Sequence, residues 1–528
     1  VNKLLSEFLG ILILPAYLIA TILIGRACNR RRPKANDFLN ASRSLPLWVV
    51  VASFLSANCG AVDIIGLSAL AAQYGVQAFH FYWIGSIPGM VFLAGVMIPI
   101  YMRSGVRSLP EYLEKRFDAR MRLINSWLIL GMVTTFSGIG LYAMAQALYV
   151  VLGWPFFSST LLAATIVLIY VLLGGLRATI YNEVFQLLVI ILSLLPLLLF
   201  TTTAFHGSSN LSGSYWRLWA SLPAVSHTAI LDRFGVIAGL GFVLGFGYWC
   251  TDFVMIQRVL TARTIRMGRL VPLLAGFGKL GFSLLLTVPA LGAATFLGRR
   301  MPASFDQTLP ALMAASYGPA LLGLGMTGLL ASLMAGLAAN VSAFSAIWTE
   351  EIYRRNIRPG EVEEHYIHIG RVSVVAAVAL SLTTSYMPFY FHSLMEYVQM
   401  IVSLVGAPFF AVFLIGIFTR RATSRGAAIG LCSGIFLALV HHAMVAVRWL
   451  VYGSLMSANF YVAVYSFLAS LGMGLLFSRK TERKSDLQLE RLVYWGRHPD
   501  DPAQVSAVWW LLAFLLLAAC VMLNYVWR

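Results

Sequence analysis

The sequence predicts an all-α integral membrane protein of about fourteen transmembrane helices, and three observations predict it. Apolar residues fill 59% of the 528 positions and charged residues 11%, less than half the charged share of an ordinary soluble domain. Mean hydropathy is +0.80. Apolar runs of about 20 residues, long enough to cross a bilayer core, recur from one end to the other. No connection between them is long enough to hold a core of its own, so the chain reads as a single polytopic membrane domain, 1–528.

The runs fall near 4–28, 46–72, 76–101, 122–153, 158–175, 180–204, 232–259, 269–298, 317–350, 368–388, 393–418, 425–447, 456–478 and 506–525. The first has no basic stretch ahead of it and no small-residue cleavage site after it, so it is expected to stay as a helix rather than leave as a signal peptide. The net charge of +17 points at first to nucleic acid, but its placement argues otherwise. Alternate connections, starting with the first, hold 30 of the 38 Lys and Arg, among them Arg30, Arg31, Arg32, Lys34, Arg103, Arg107, Lys115, Arg116, Arg479, Lys480, Arg483 and Lys484. The positive-inside rule puts those connections in the cytoplasm and both termini outside, in a plasma membrane. The basic balance therefore encodes orientation in a lipid bilayer, and no nucleic-acid partner is expected.

Five cysteines (Cys28, Cys59, Cys250, Cys432, Cys520) are scattered without a CxxC pair, so neither a disulfide framework nor a zinc site is expected. The longer polar stretches, 206–232, 350–371 and 479–501, carry no Walker-type GxxxxGK[ST], and the chain has no HExxH or GxSxG. An enzyme is not expected. Without a nucleotide site, any active transport must draw on an ion gradient.

Two runs contain interruptions. The second places Ser56, Asn58, Cys59, Gly60 and Asp63 inside an apolar stretch, and the seventh contains Gly235, Gly239, Gly241, Gly245 and Gly247 ahead of Tyr248-Trp249-Cys250-Thr251-Asp252. They stand five runs apart, the pattern of inverted-repeat secondary transporters with a broken first helix in each half. Broken backbone at membrane depth is tolerated only where it lines a cavity or binds a ligand. Glycines four apart also serve close helix packing, so for the seventh run both readings stand.

Four stretches then carry a resemblance: 53–67 leading to Ile98-Pro99-Ile100-Tyr101 and Leu109-Pro110-Glu111-Tyr112; Leu173-Gly174-Gly175-Leu176-Arg177; Tyr248-Trp249-Cys250-Thr251-Asp252 with Gln257-Arg258; and Ser332-Leu333-Met334 through Glu351-Ile352-Tyr353. In this order and on these helices they resemble the sodium:solute symporter family of sugar, proline and sialic-acid cotransporters. The resemblance implies a ten-helix core of the leucine-transporter type with five-plus-five inverted repeats. One helix (4–28) precedes the first repeat (46–204), and three (425–528) follow the second (232–418).

The resemblance also implies a sodium site, whose carbonyl positions carry over to Ser56, Cys59 and Ser332. Its two side-chain hydroxyl positions fall on Ala335 and Gly336, which have no side-chain oxygen. Help from Ser56 Oγ, Ser332 Oγ or water, use of another ion site, and loss of coupling all remain open. Glu183, after the turn expected at Gly174-Gly175-Leu176, matches an acidic position tied to cation coupling in sugar and sialic-acid members. The alternative for Glu183 is a carboxylate solvated in the inner vestibule and paired with Arg177.

For the solute, Asp63 stands out, because a carboxylate inside a span costs roughly 2.5–3.5 kcal/mol on insertion scales. It can hold a solute hydroxyl or amine, carry a proton, or be satisfied structurally by Asn58. Lys279, Gln399, Asn58 and the aromatic pair Tyr248 and Trp249 match solute-binding and gating positions of sugar carriers, with snorkelling to the membrane edge the alternative for Lys279. Where those carriers have Glu-Trp-Asn this chain has Tyr82-Trp83-Ile84, which removes two hydrogen-bonding groups for a sugar ring. The expected function is sodium-coupled symport of a small polar organic solute by alternating access. A proton-coupled or uncoupled carrier of the same fold, and a solute sensor, are the alternatives; no kinase or regulator segment follows Asp501, which favours the carrier.

Overall fold

The computed structural model describes residues 2–28, 45–204, 213–219, 232–298, 301–494 and 507–527. The basic cluster at 30–34, most of the 206–232 connection and the 495–506 stretch lie outside them, as does the side chain of Arg177. The principal helices are α1 (Asn2–Cys28), α2 (Leu47–Asn58), α3 (Ala61–Tyr74), α4 (Leu109–Arg116), α5 (Ala119–Leu152), α6 (Phe156–Ala204), α7 (Phe246–Thr251), α8 (Phe253–Val259), α9 (Ile265–Leu297), α10 (Pro319–Ala346), α11 (Glu363–Thr384), α12 (Leu394–Ile401), α13 (Ala407–Phe418), α14 (Ser424–Ala446), α15 (Leu455–Ser478) and α16 (Ala507–Val526).

Among the described residues ten helical stretches are long and apolar enough to cross a membrane. The pair Gly235–Thr251 and Phe253–Val259, bent by 54° at Asp252, makes an eleventh. Shorter apolar helices, Leu12–Ala27, Leu47–Asn58 and Phe156–Ile169, overlap three of the predicted runs, and the one stretch Ala61–Arg103 takes in parts of both 46–72 and 76–101. One local expectation changes. The sequence predicts a turn at Gly174-Gly175-Leu176, but α6 stays helical from Phe156 to Ala204. Two glycines cost a helix about 1 kcal/mol each, which the long apolar runs on either side outweigh.

The chain forms two compact units, each visited three times. The first comprises Val1–Ala78, Leu130–Trp216 and Gly281–Tyr397; the second comprises Phe79–Ile129, Arg217–Leu280 and Val398–Arg528. In the first unit α10 packs against α1, α3 and α6, and α2 packs on α6. Small residues allow the close approaches: a Cβ at Gly10 would lie 2.5 Å from Pro319 O. Gly75 turns the chain after α3 with φ of 67°, and a Cβ there would collide with Tyr215 O. Asp306 ties the join after α9 to the start of α12. Its carboxylate accepts from Leu394 N at 3.0 and 3.2 Å and from Tyr142 Oη at 3.3 Å.

In the second unit α14 and α15 lie side by side, and Gly426, Gly430 and Gly434 admit the backbone of α15 near Ser478, Ser470 and Ser466. Arg116 ends α4 as a buried guanidinium. It donates to Gly416 O and Thr419 O at 2.6 Å and to Ala422 O at 3.1 Å. These carbonyls close the C-terminal end of α13, where a cation is favoured by the helix dipole.

The seventh-run glycines are packing positions. Gly235 and Gly239 face Phe460, Gly241 faces Ile84, Gly245 faces Gly85, and Gly247 faces Phe410. A Cβ at Gly245 would collide with the backbone oxygen of Gly85, so Gly245→Ala is expected to cost about 1–3 kcal/mol and to lower the thermal unfolding midpoint in detergent. Burial pushes the Asp306 carboxyl up to about 6, against the Leu394 N–H and Tyr142, with Glu396 adding to the rise. The folded carboxyl then keeps its proton between pH 4 and 6, where the unfolded chain has lost it, so the Asp306 contribution to stability declines as pH rises through that window. Asp306→Asn is expected to flatten that decline in unfolding midpoints measured from pH 4 to pH 7.

Candidate functional site

The first unit carries the first break. α2 ends at Asn58 and α3 starts at Ala61, with Cys59 (φ −81°, ψ 44°) and Gly60 (φ −74°, ψ 177°) leaving helical geometry between them. A helix C-terminus leaves its last carbonyls without intrahelical donors, and α2 presents that end inside an apolar run. Gly60 sits against α10: a Cβ there would lie 3.4 Å from Gly336 Cα and 3.6 Å from Ser332 O. The fold thus brings the break, the Ser332 carbonyl and Gly336 together. Ser56, Cys59, Ser332 and Ala335 are all buried. Ser332 Oγ donates to Leu329 O at 2.7 Å, whereas Ser56 Oγ has no hydrogen-bond partner among the described residues. A buried hydroxyl without a partner costs about 1–3 kcal/mol.

Glu183 on α6 is fully buried and accepts a hydrogen bond from Ser53 Oγ on α2. The solvated alternative is therefore not what the fold contains. Ser53 and Ser56 are three residues apart on one helix, so they share a face. Ser53 is missed by the sequence reasoning, and so is Tyr17 of α1. Its hydroxyl donates to Met334 Sδ at 3.4 Å and accepts from Gln186 Nε2 at 3.3 Å, beside Ala335 on α10. A tyrosine in mid-run, whose hydroxyl must find a partner when buried, was the available signal.

Asn58 and Asp63 flank the break. Asn58 closes α2, and Asp63 lies in the first turn of α3, where the helix dipole favours a carboxylate. The remaining solute candidates belong to the second unit. Tyr248 and Trp249 sit on α7 just ahead of the bend, rings edge to face with centroids 5.3 Å apart. Asp252 forms the corner and caps α8, Oδ1 accepting from Met255 N at 2.9 Å. Lys279 is 2% exposed, so it does not snorkel. Its ammonium stands 4.3 Å from the centroid of the buried Tyr82 ring, a cation–π contact strengthened by desolvation. Gln399, on α12, is largely buried.

The model of the family described as "Sodium:solute symporter family" matches residues 38–434. The chain belongs to that family. Its homologues are membrane transporters, and it is a transporter rather than an enzyme. A sodium/glucose cotransporter of Vibrio parahaemolyticus is 26% identical over 463 residues, 82% of this chain and 85% of the relative. A sodium/mannose cotransporter of Bos taurus is 28% identical over 466 residues, 80% of this chain and 77% of that one. Among solved structures, a sodium-coupled sialic acid symporter in a substrate-bound outward-open state aligns with TM-score 0.74 over 91% of this chain and 99% of the other, at 18% identity. That likeness establishes the fold, of the leucine-transporter type.

The Ser53–Glu183 contact predicts a graded response. Glu183→Gln keeps an acceptor for Ser53 and is expected to unfold close to wild type. Glu183→Ala leaves the buried hydroxyl without its partner and is expected to cost about 1–3 kcal/mol more, read as a lower unfolding midpoint.

Proposed function

We propose that this member of the family is a secondary active symporter that couples sodium to the uptake of a small polar organic solute by alternating access. It would lie in the plasma membrane with fourteen helices, both termini outside and five-plus-five inverted repeats. The observation that carries the reading is the first break. Support comes from the contact of Gly60 with α10 beside Ser332 O and from the buried Ser56 hydroxyl, which has no partner among the described residues; hard oxygens are what an alkali cation takes as ligands. Sodium is held there by the carbonyls of Ser56, Cys59 and Ser332 and by Ser56 Oγ, with Ala335 and Gly336 giving nothing. Coupling is accordingly weak in sodium affinity. The names of the relatives, which include sodium/glucose and sodium/mannose cotransporters, support sodium as the coupling ion.

Asn58, Asp63, Tyr82, Tyr248, Trp249, Lys279 and Gln399 contact the solute. The carboxylate of Asp63 and the ammonium of Lys279 suit a solute with both polar and charged groups better than a hexose, given Tyr82-Trp83-Ile84 in place of Glu-Trp-Asn. The buried Ser53–Glu183 pair favours a second reading of the coupling, in which Glu183 holds a second cation as the driving ion.

Uptake into proteoliposomes under imposed gradients separates these readings. A screen of sugars, acid sugars, amino acids and carboxylates by ligand-linked thermal stabilisation, with and without sodium, identifies the solute first. Uptake of that solute is expected to rise with an inward sodium gradient and to collapse in Asp63→Ala while the variant still folds and inserts. Since a Cβ at Gly336 meets only ordinary contacts, Gly336→Ser is expected to fit, to supply the missing hydroxyl and to lower the sodium concentration for half-maximal uptake. Uptake indifferent to both sodium and pH gradients overturns the coupling.

A further inference from the structure

We propose that the second unit holds a binding site for a phosphate group, as an anionic phospholipid headgroup or a soluble phosphate, in the cavity formed by the chain around α4 and the segment after α15. The cavity measures about 530 Å³. Ser104 and Lys115 line one side of it, and Lys484, Gln488 and Arg491 line the other. Glu490 is the single carboxylate in the lining and Leu487 the exposed apolar residue at its edge.

The walls are fixed by tertiary bonds. Tyr112 Oη donates to Leu492 O at 2.8 Å, and Tyr494 N donates to Ile417 O at 2.9 Å. Ser485 and Gln488 form a reciprocal capping box that sets the turn between Lys484 and Arg491. Lys484 Nζ donates to Lys115 O at 2.8 Å and Lys115 Nζ to Ser104 O at 3.1 Å. An ammonium has three donors, so each keeps hydrogens for a ligand.

The charges around the cavity are sorted. Lys115 pairs with Glu111 at 3.2 Å, Arg122 with Glu114 at 3.3 Å and Arg483 with Asp486 at 3.8 Å. Among the described residues neither Lys484 nor Arg491 has a carboxylate within ion-pair distance. Lys484 is half-buried, and that burial, with the Arg116 guanidinium beside it, holds its ammonium below the ordinary lysine value; Asp118 and Glu114 act the other way. A bound anion relieves both effects. A phosphate accepts a guanidinium fork and an ammonium together, and among the described residues no aromatic lines the cavity for a base to stack on. The exposed leucine beside the charges suits a headgroup whose acyl chains continue into the bilayer. The sequence places these connections in the cytoplasm, facing the leaflet where anionic lipids gather.

The test uses the full chain in nanodiscs of phosphatidylcholine with and without phosphatidylglycerol, read by native mass spectrometry for retained lipid. A parallel arm titrates inorganic phosphate against chloride at equal ionic strength in phosphatidylcholine alone, read by unfolding midpoint. Selective retention of phosphatidylglycerol assigns the site to the lipid headgroup; stabilisation by phosphate without lipid selectivity assigns it to a soluble phosphate. Either effect is expected to fall about fivefold for each charge removed in Lys484→Gln and Arg491→Gln and to persist in Lys484→Arg. Arg491, at the surface, provides the variant least able to disturb folding. Wild type showing neither effect, or Arg491→Gln and Lys484→Gln both leaving it unchanged, overturns the site.

Discussion

In hydrocarbon a backbone carbonyl or amide has no water to turn to, and each one left unpaired costs several kcal/mol. Every irregularity inside the spans of this chain answers to that constraint. Among the described residues, the end of α2 at Asn58 and the corner at Asp252 are two of the places where helical pairing stops inside an apolar run. At Asp252 a side chain takes over, accepting from Met255 N and restarting the helix at once. At Gly60, where α3 begins, no side chain caps the helix among the described residues. The gap is pressed against α10, and a hydroxyl without a partner lies one turn back.

The same constraint explains the buried charges. Glu183, Lys279 and Arg116 are removed from solvent, and each has a specific polar or aromatic partner: the Ser53 hydroxyl, the face of Tyr82, and the last carbonyls of α13. Each of these partners lies more than a hundred residues away in the sequence. They are therefore tertiary features, set only when distant helices meet.

That is also the boundary of what the sequence made legible. Helix positions follow from hydropathy because length and apolarity are local, and the broken second run showed itself through Asp63 and its small neighbours. The glycines of the seventh run were ambiguous because a glycine that lets a helix break and one that lets a neighbour approach look alike; Gly239 against Phe460 and Gly245 against Gly85 resolve them as packing. The turn expected at Gly174-Gly175-Leu176 failed because local propensity lost to the surrounding helix. The absence of hydroxyls at Ala335 and Gly336 was plain from the residues. The contact of Gly336 with Gly60 was not, nor was the part played by Ser53 and Tyr17, whose partners lie more than a hundred residues away.

The direction of those contacts along the chain matters for biosynthesis. Ser53 is made 130 residues before Glu183, and Tyr82 well before Lys279. A polypeptide emerges from its amino end, so in both cases the uncharged partner has been synthesised before the ionisable group that needs it leaves the ribosome. The carboxylate and the ammonium each enter the bilayer with a receiver already made, which shortens the time either spends exposed to lipid.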